Sequence, residues 1–137
     1  MKKITSVCLA LLLLFGANTA VFAQDEGVKN YAYFGIEPDI VTNYLGSSAR
    51  KLGYVRVTVE LMLEDVSYLE AAEHHSPLMR ATVIEIFGRQ EEEKVKSLTG
   101  REEIRLACLQ SLREIIKKET GSEMIMDVIF TKYLYQG

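Results

Sequence analysis

The chain has 137 residues, 48% of them hydrophobic and 26% charged, with only two prolines. That is enough apolar material for one folded domain; it excludes a disordered chain and is too short for two domains. A formal net charge of −3 gives nucleic acid no electrostatic hold, and no Lys/Arg cluster marks the folded part for an anionic membrane surface.

The first 23 residues have the layout of an export signal. Met1, Lys2 and Lys3 are a short basic start, Ile4 to Phe15 are uncharged with four leucines in a row, and in the exit from Gly16 to Ala23 Val21 and Ala23 suit a signal-peptidase cut. Two outcomes stay open: a signal cut after Ala23, before Gln24, or a retained anchor. Ile4 to Ala23 is 20 uncharged residues, about what a membrane-spanning helix needs. In both cases the basic end stays in the cytoplasm and the rest is exported, to the soluble periplasm if cut or facing the periplasm from the inner membrane if not. Loss of Lys2 and Lys3 would leave 14 basic against 19 acidic residues, a net of −5. Cys8 lies within the apolar segment and Cys108 is alone beyond it, so the exported part can form no internal disulfide. Cys108 sits on an apolar helix stripe and reads as a buried small hydrophobe.

Residues 24–30, with Asp25, Glu26 and Gly27, form a short polar linker, and 31–137 form the domain. Tyr31 to Asn43 is strand-like and interrupted by Pro38, which suggests an edge position or a break. Gly46-Ser47-Ser48 signals a turn. Tyr54 to Glu64 gives the clearest strand: Val55, Val57, Val59, Leu61 and Leu63 alternate with mostly polar residues, the period of a sheet with one buried face. Asp65 to Ser67 offers a cap, and Tyr68 to Glu73 a short helical segment. Ser76-Pro77 starts a helix with Ser76 as the cap, its stripe read as Leu78, Ala81, Ile84 and Phe87, widened by Val83 and Ile86. Gln90 to Lys96 is charged and reads as a solvated face or loop. Thr99 and Glu102 have capping-box spacing. Ile104, Cys108, Leu112 and Ile115 then line a helix, broadened by Leu109 and Ile116, that ends at Gly121. Met124 to Gln136 is the last strand, apolar on both faces, as in a sheet interior or where one face meets a partner. The order predicts an α/β layer of the α+β kind: a small, mostly antiparallel sheet packed with two or three helices.

No phosphate loop or nucleophile elbow occurs. His74 and His75 are the only histidines; Glu70 and His74 share a helix face, with Glu73 beside them, but adjacent histidines diverge and no second ligand cluster is visible. Carboxylate pairs such as Glu64 and Asp65, or the run Glu91 to Glu93, read as solvated surface. No catalytic, cofactor-binding or metal-ligating set is assigned. Tyr31, Tyr33, Tyr44, Tyr54, Tyr133 and Tyr135 bracket the strands and serve equally well as strand formers or as interface residues.

Four stretches together carry a family resemblance. They are Phe34 to Asn43 with its Pro38, Tyr54 to Leu61 (YVRVTVEL), His75 to Arg80 continuing to Ile84-Glu85-Ile86-Phe87, and Gly100 to Arg105 with the closing Val128 to Gln136 (VIFTKYLYQ). In that order they resemble the periplasmic domain of the FliL family of flagellar basal-body-associated proteins, over about Tyr31 to Gln136. The resemblance implies a stomatin-like fold, no catalysis, and an accessory role in flagellar rotation, motility and chemotaxis. It also implies self-association, as a ring, and contact with the stator proteins MotA and MotB and other basal-body components at the inner membrane. The alternative on the same fold is a free periplasmic binding module, a paralogue not tied to the stator.

Overall fold

A computed structural model describes residues 27–48 and 51–137; the apolar segment and the start of the expected linker lie outside them. Three strands, β1 (Ala32–Tyr44), β2 (Gly53–Leu63) and β3 (Ile125–Gln136), pair antiparallel in the order β1-β2-β3. Between β2 and β3 come a 3-10 turn (Val66–Tyr68) and four α-helices: α1 (Leu69–His74), α2 (Ser76–Gly88), α3 (Glu92–Lys96) and α4 (Leu98–Thr120). The protein is thus α+β, with four helices where two or three were predicted.

The strongly alternating segment becomes the central strand. Val55, Val57, Val59, Leu61 and Leu63 are fully buried against the helices, each such side chain contributing about 1.5–3 kcal/mol of transfer free energy. On β1 the pairing moves from Ile36↔Val59 to Ile40↔Val57, so the strand bulges around Pro38. The bulge adds two residues, which preserves the period of two. Ala32, Ile36, Ile40 and Tyr44 therefore all stay buried on the helix side. Pro38 is tolerated because β1 is an edge strand. Arg80 of α2 donates to the carbonyls of Pro38 and Asp39, satisfying backbone groups that the bulge takes out of the ladder.

Helix α2 packs against β1 and α4 against β3. The buried stripe of α2 is Met79, Val83 and Phe87, whereas Leu78 is exposed; the predicted stripe was rotated by about one residue. The cap also moves: His75 occupies the N-cap position, without a side-chain bond, and Ser76 and Pro77 lie inside the first turn. On α4, Ile104, Cys108, Leu112 and Ile116 are buried at four-residue intervals, with Ile115 to one side. The cap there is Ser97 and not Thr99: its hydroxyl accepts from the Gly100 N–H at 3.0 Å. Gly121 closes α4 at φ 81, donating to Lys117 O at 2.8 Å, a left-handed stop that glycine makes without strain.

Two further expectations change. Gln90 to Lys96 is not merely a solvated loop, for it contains α3, whose Val95 is fully buried. The segment is fastened by Leu45, whose N–H donates to Gln90 O and whose carbonyl accepts from Glu92 N–H. One apolar residue in a charged run sets no period, so the helix leaves no mark in the pattern. The last strand is not interior: β3 lies at the sheet edge beside β2. Among the described residues the buried hydrophobic core falls between Ala32 and Val128, and no polar or charged residue is buried with it, so the domain carries its own core.

Candidate interaction surface

Among the described residues all the packing helices lie on one side, and none covers the other face of the sheet. Cross-strand pairing places its residues in rows: Tyr33, Met62 and Asp127; Gly35, Glu60 and Ile129; Val41, Arg56 and Leu134; Asn43, Tyr54 and Gln136. Tyr33 (58%), Val41 (59%), Tyr54 (44%) and Leu134 (57%) are exposed. They are apolar or amphipathic groups on one contiguous face, the feature that sets a contact surface apart from scattered exposed hydrophobics. Val41, Tyr54, Arg56 and Leu134 also line a shallow depression of about 280 Å³.

A polar cluster occupies the middle of this face. Asp39, projected by the bulge of β1, accepts from Thr58 Oγ1 at 2.7 Å and from Arg56 Nε at 2.8 Å. Lys132 Nζ of β3 lies 4.0 Å away. The Thr58 hydroxyl and then the Arg56 guanidinium hold the Asp39 carboxyl below its ordinary range. Two cations thus share one carboxylate, while Glu60, one row away, makes no ion pair among the described residues.

The free edge of β3 is guarded. Asp127 accepts from the Val128 N–H at 2.8 Å, and Arg105 of α4 donates to Val128 O at 3.0 Å and to Asp127. The backbone donor and acceptor at Val128 are thereby both occupied by side chains. Register shifts in β3 opposite Thr58/Val59 and Met62/Leu63 break the edge further, and bulges and charges of this kind discourage strand addition. Hydrogen bonding to Glu102 first, then to Asp127, raises the Arg105 pKa.

The residues singled out from sequence separate clearly. Tyr44 is buried and donates to Gln136 O at 3.2 Å, and Tyr133 donates to Val95 O at 2.7 Å; both are structural. Tyr33 and Tyr54 lie on the open face. Tyr31 is exposed just before β1, and Tyr135 is exposed near Lys96. His74 and His75 meet edge to face, ring centroids 4.9 Å apart, at the α1–α2 junction. Among the described residues no group of three or more His, Cys, Asp or Glu side chains comes together to hold a metal ion. Cys108 is buried, and desolvation pushes its thiol up to about 12. Within the run Glu91 to Glu93, Glu92 is pulled down to about 2 by its bond from Lys96 and then that from Ser47. Asp65 accepts from Ser67 N–H at 2.9 Å and caps the 3-10 turn. The cluster of Asp39, Arg56, Thr58 and Lys132 was not visible in the sequence, because it joins three strands through a bulged register.

The fold and surface define a small α+β domain that shields one face of an antiparallel sheet with helices and leaves the other open. The model of the flagellar basal body-associated protein FliL family matches residues 33–136, nearly the whole described domain, and the chain belongs to that family. It is similar to the flagellar protein FliL of Aquifex aeolicus (strain VF5), 24% identical over 103 residues, which are 75% of this chain. The aligned part spans 60% of that relative's length. Among the described residues no helix is long and apolar enough to cross a membrane.

Proposed function

We propose that the protein is a non-enzymatic accessory component of the flagellar motor, acting on the periplasmic side by protein contacts that support the stator. The family match over nearly the whole domain, 33–136, carries this reading. The open sheet face supports it, since it supplies a broad, mixed apolar and charged surface of the kind partner proteins bind. The signal-like N-terminus supplies the route to that side of the inner membrane. In this reading the chain self-associates, as in a ring, and meets MotA and MotB or their equivalents together with basal-body components.

The test is co-purification with flagellar basal bodies from fractionated cells, with N-terminal sequencing of the recovered chain. Enrichment with basal bodies supports the motor role; a start at Met1 then means an anchored form and a start at Gln24 a processed one held by protein contacts. A chain found only in the soluble periplasm and absent from basal bodies of the same cells contradicts the proposal and leaves the free periplasmic module.

A further inference from the structure

We propose that the β3 edge at Phe130 takes a short extended segment of another protein, and that an acidic residue of that segment pairs with Arg101. The backbone makes the first part of the case. From Leu61↔Val128 to Val59↔Phe130 the register runs without a shift. Val128 and Phe130, two residues apart, therefore turn their N–H and C=O groups to the same side. At Val128 that side is the outer one, where Asp127 takes the N–H and Arg105 the carbonyl. Phe130 thus presents its own donor and acceptor outward, and no loop among the described residues takes them. The guard on this edge ends one residue pair short of Phe130.

A cleft of about 390 Å³ lies beside this stretch, between β3 and the first turns of α4. Its charges divide by position. Glu102 and Asp127 are both held on Arg105 at the Val128 end, Glu102 at 2.7 and 2.8 Å and Asp127 at 2.5 Å. Arg101, one turn earlier on α4, is exposed and makes no ion pair among the described residues. Its guanidinium lies over the Tyr133 ring, 5.2 Å from the centroid, and that ring stacks on Phe130 with centroids 5.9 Å apart. The cation stands beside the open backbone pair.

Strand geometry specifies the guest. The guest residue opposite Phe130 exchanges two hydrogen bonds with it and turns its side chain to the helix side, where Phe130 meets Phe87. Arg101 is on that side, so an aspartate or glutamate fits there, its carboxylate matched to the planar guanidinium. The neighbouring guest residues turn to the other face, beside the half-buried Ile129, which favours an apolar side chain. The segment is short: Arg105 and Asp127 block the edge at Val128, and the register shift opposite Thr58/Val59 ends the regular ladder beyond Phe130. The β3 edge of a second copy does not fit, because pairing the two strands about Phe130 sets Arg101 against Arg101. The proposal goes beyond the motor role and is independent of it.

The test is an NMR titration of isotope-labelled residues 27–137, whose core is self-contained, with a capped peptide of the sequence threonine–valine–glutamate–valine–threonine. Saturable amide shifts centred on Phe130 and Thr131 are expected, with a dissociation constant of about 1 mM. A peptide with lysine in place of glutamate, and one N-methylated at the glutamate amide, each bind about tenfold more weakly or less. Arg101→Glu reverses the preference and takes the lysine peptide over the glutamate one; a dispersed spectrum checks that this variant folds. The N-methylated peptide tests the strand pairing on the wild-type domain, with no variant needed. Absence of saturable shifts up to about 10 mM peptide, shifts centred elsewhere, equal binding of the N-methylated peptide, or an unchanged preference in a folded Arg101→Glu domain overturns the proposal. So do shifts of the same amides on concentrating the domain alone, which would make a second copy the occupant.

Discussion

Gly100 sits in the first turn of α4, where that helix crosses the backbone of α3. A Cβ built on it would lie 2.0 Å from the carbonyl oxygen of Lys94 and 2.7 Å from the Lys94 carbonyl carbon and Cα. These are backbone atoms, so no side chain can swing away, and α3 must shift by about 1 Å to restore ordinary contact. Alanine gains about 0.8–1.0 kcal/mol over glycine inside a helix, less in a first turn, while overpacking a tight contact costs about 1–3 kcal/mol. The displacement also disturbs Val95, which is fully buried, and the 2.7 Å bond from Tyr133 to its carbonyl. We predict that Gly100→Ala destabilises the domain by about 1–2 kcal/mol, lowering Tm by about 4–10 °C. Gly88, at the end of α2, is the control: a Cβ added there meets nothing within 4 Å, so Gly88→Ala stabilises by about 0.5 kcal/mol. Thermal and urea denaturation followed by circular dichroism reads both. A Gly100→Ala domain as stable as wild type would refute the close packing of α3 on α4.

Other predictions follow from the same packing. Arg105→Ala removes the donor from Val128 O and the counter-ion of Asp127; it costs about 1–2 kcal/mol in urea denaturation and raises concentration-dependent aggregation, seen by light scattering, because the edge of β3 is uncovered. Native Cys108 resists a thiol reagent at pH 8, and labelling proceeds only as fast as the domain opens; rapid labelling of the folded domain would contradict its burial. Cys108 and Tyr133 are both pushed up to about 12, from 9.0 and 10.0, by desolvation. The unfolded chain therefore loses these protons first, and stability falls as pH rises from about 9 towards about 12; Cys108→Ala flattens the lower part of that slope. On the acid side Glu92, at about 2 against 4.5 unfolded, contributes stability that is present above pH 4.5 and lost as pH falls towards 2, and Glu92→Gln removes that component from the acid-unfolding curve.

Periodicity made the sheet legible. The alternation from Val55 to Leu63 is uninterrupted, and a strand with one wholly apolar face has few places to go but the middle of a small sheet. Of the two readings of Pro38, an edge position or a break, the structure takes the edge, with a bulge in place of the break. Helix α4 was legible for the same reason, with Ile104, Cys108 and Leu112 one turn apart. Caps were less so: Ser97 and Thr99 are both good cap residues two positions apart, and it is the Ser97 hydroxyl that takes the Gly100 N–H. The stripe of α2 was misplaced because Leu78, Met79, Val83, Ile84, Ile86 and Phe87 wrap most of the helix circumference, and tertiary packing alone selects Met79, Val83 and Phe87. The last strand read as interior, or as meeting a partner on one face, because its open face is apolar at Ile129 and Leu134; β3 is an edge strand, and with the described helices all on the other face those residues stand at the surface. The family could be read from the ordered motifs, but the cluster around Asp39 could not. It depends on a bulge whose length the sequence does not specify, and on which residues of β3 stand opposite Arg56 and Thr58.

The most direct test of the motor role is the swimming behaviour of cells lacking this chain, measured in media of increasing viscosity and after restoring the gene. Cells that still assemble flagella but swim slowly or stall under load, and recover fully with the restored chain, meet the prediction of a stator-supporting accessory protein. Cells that swim normally at every load contradict it.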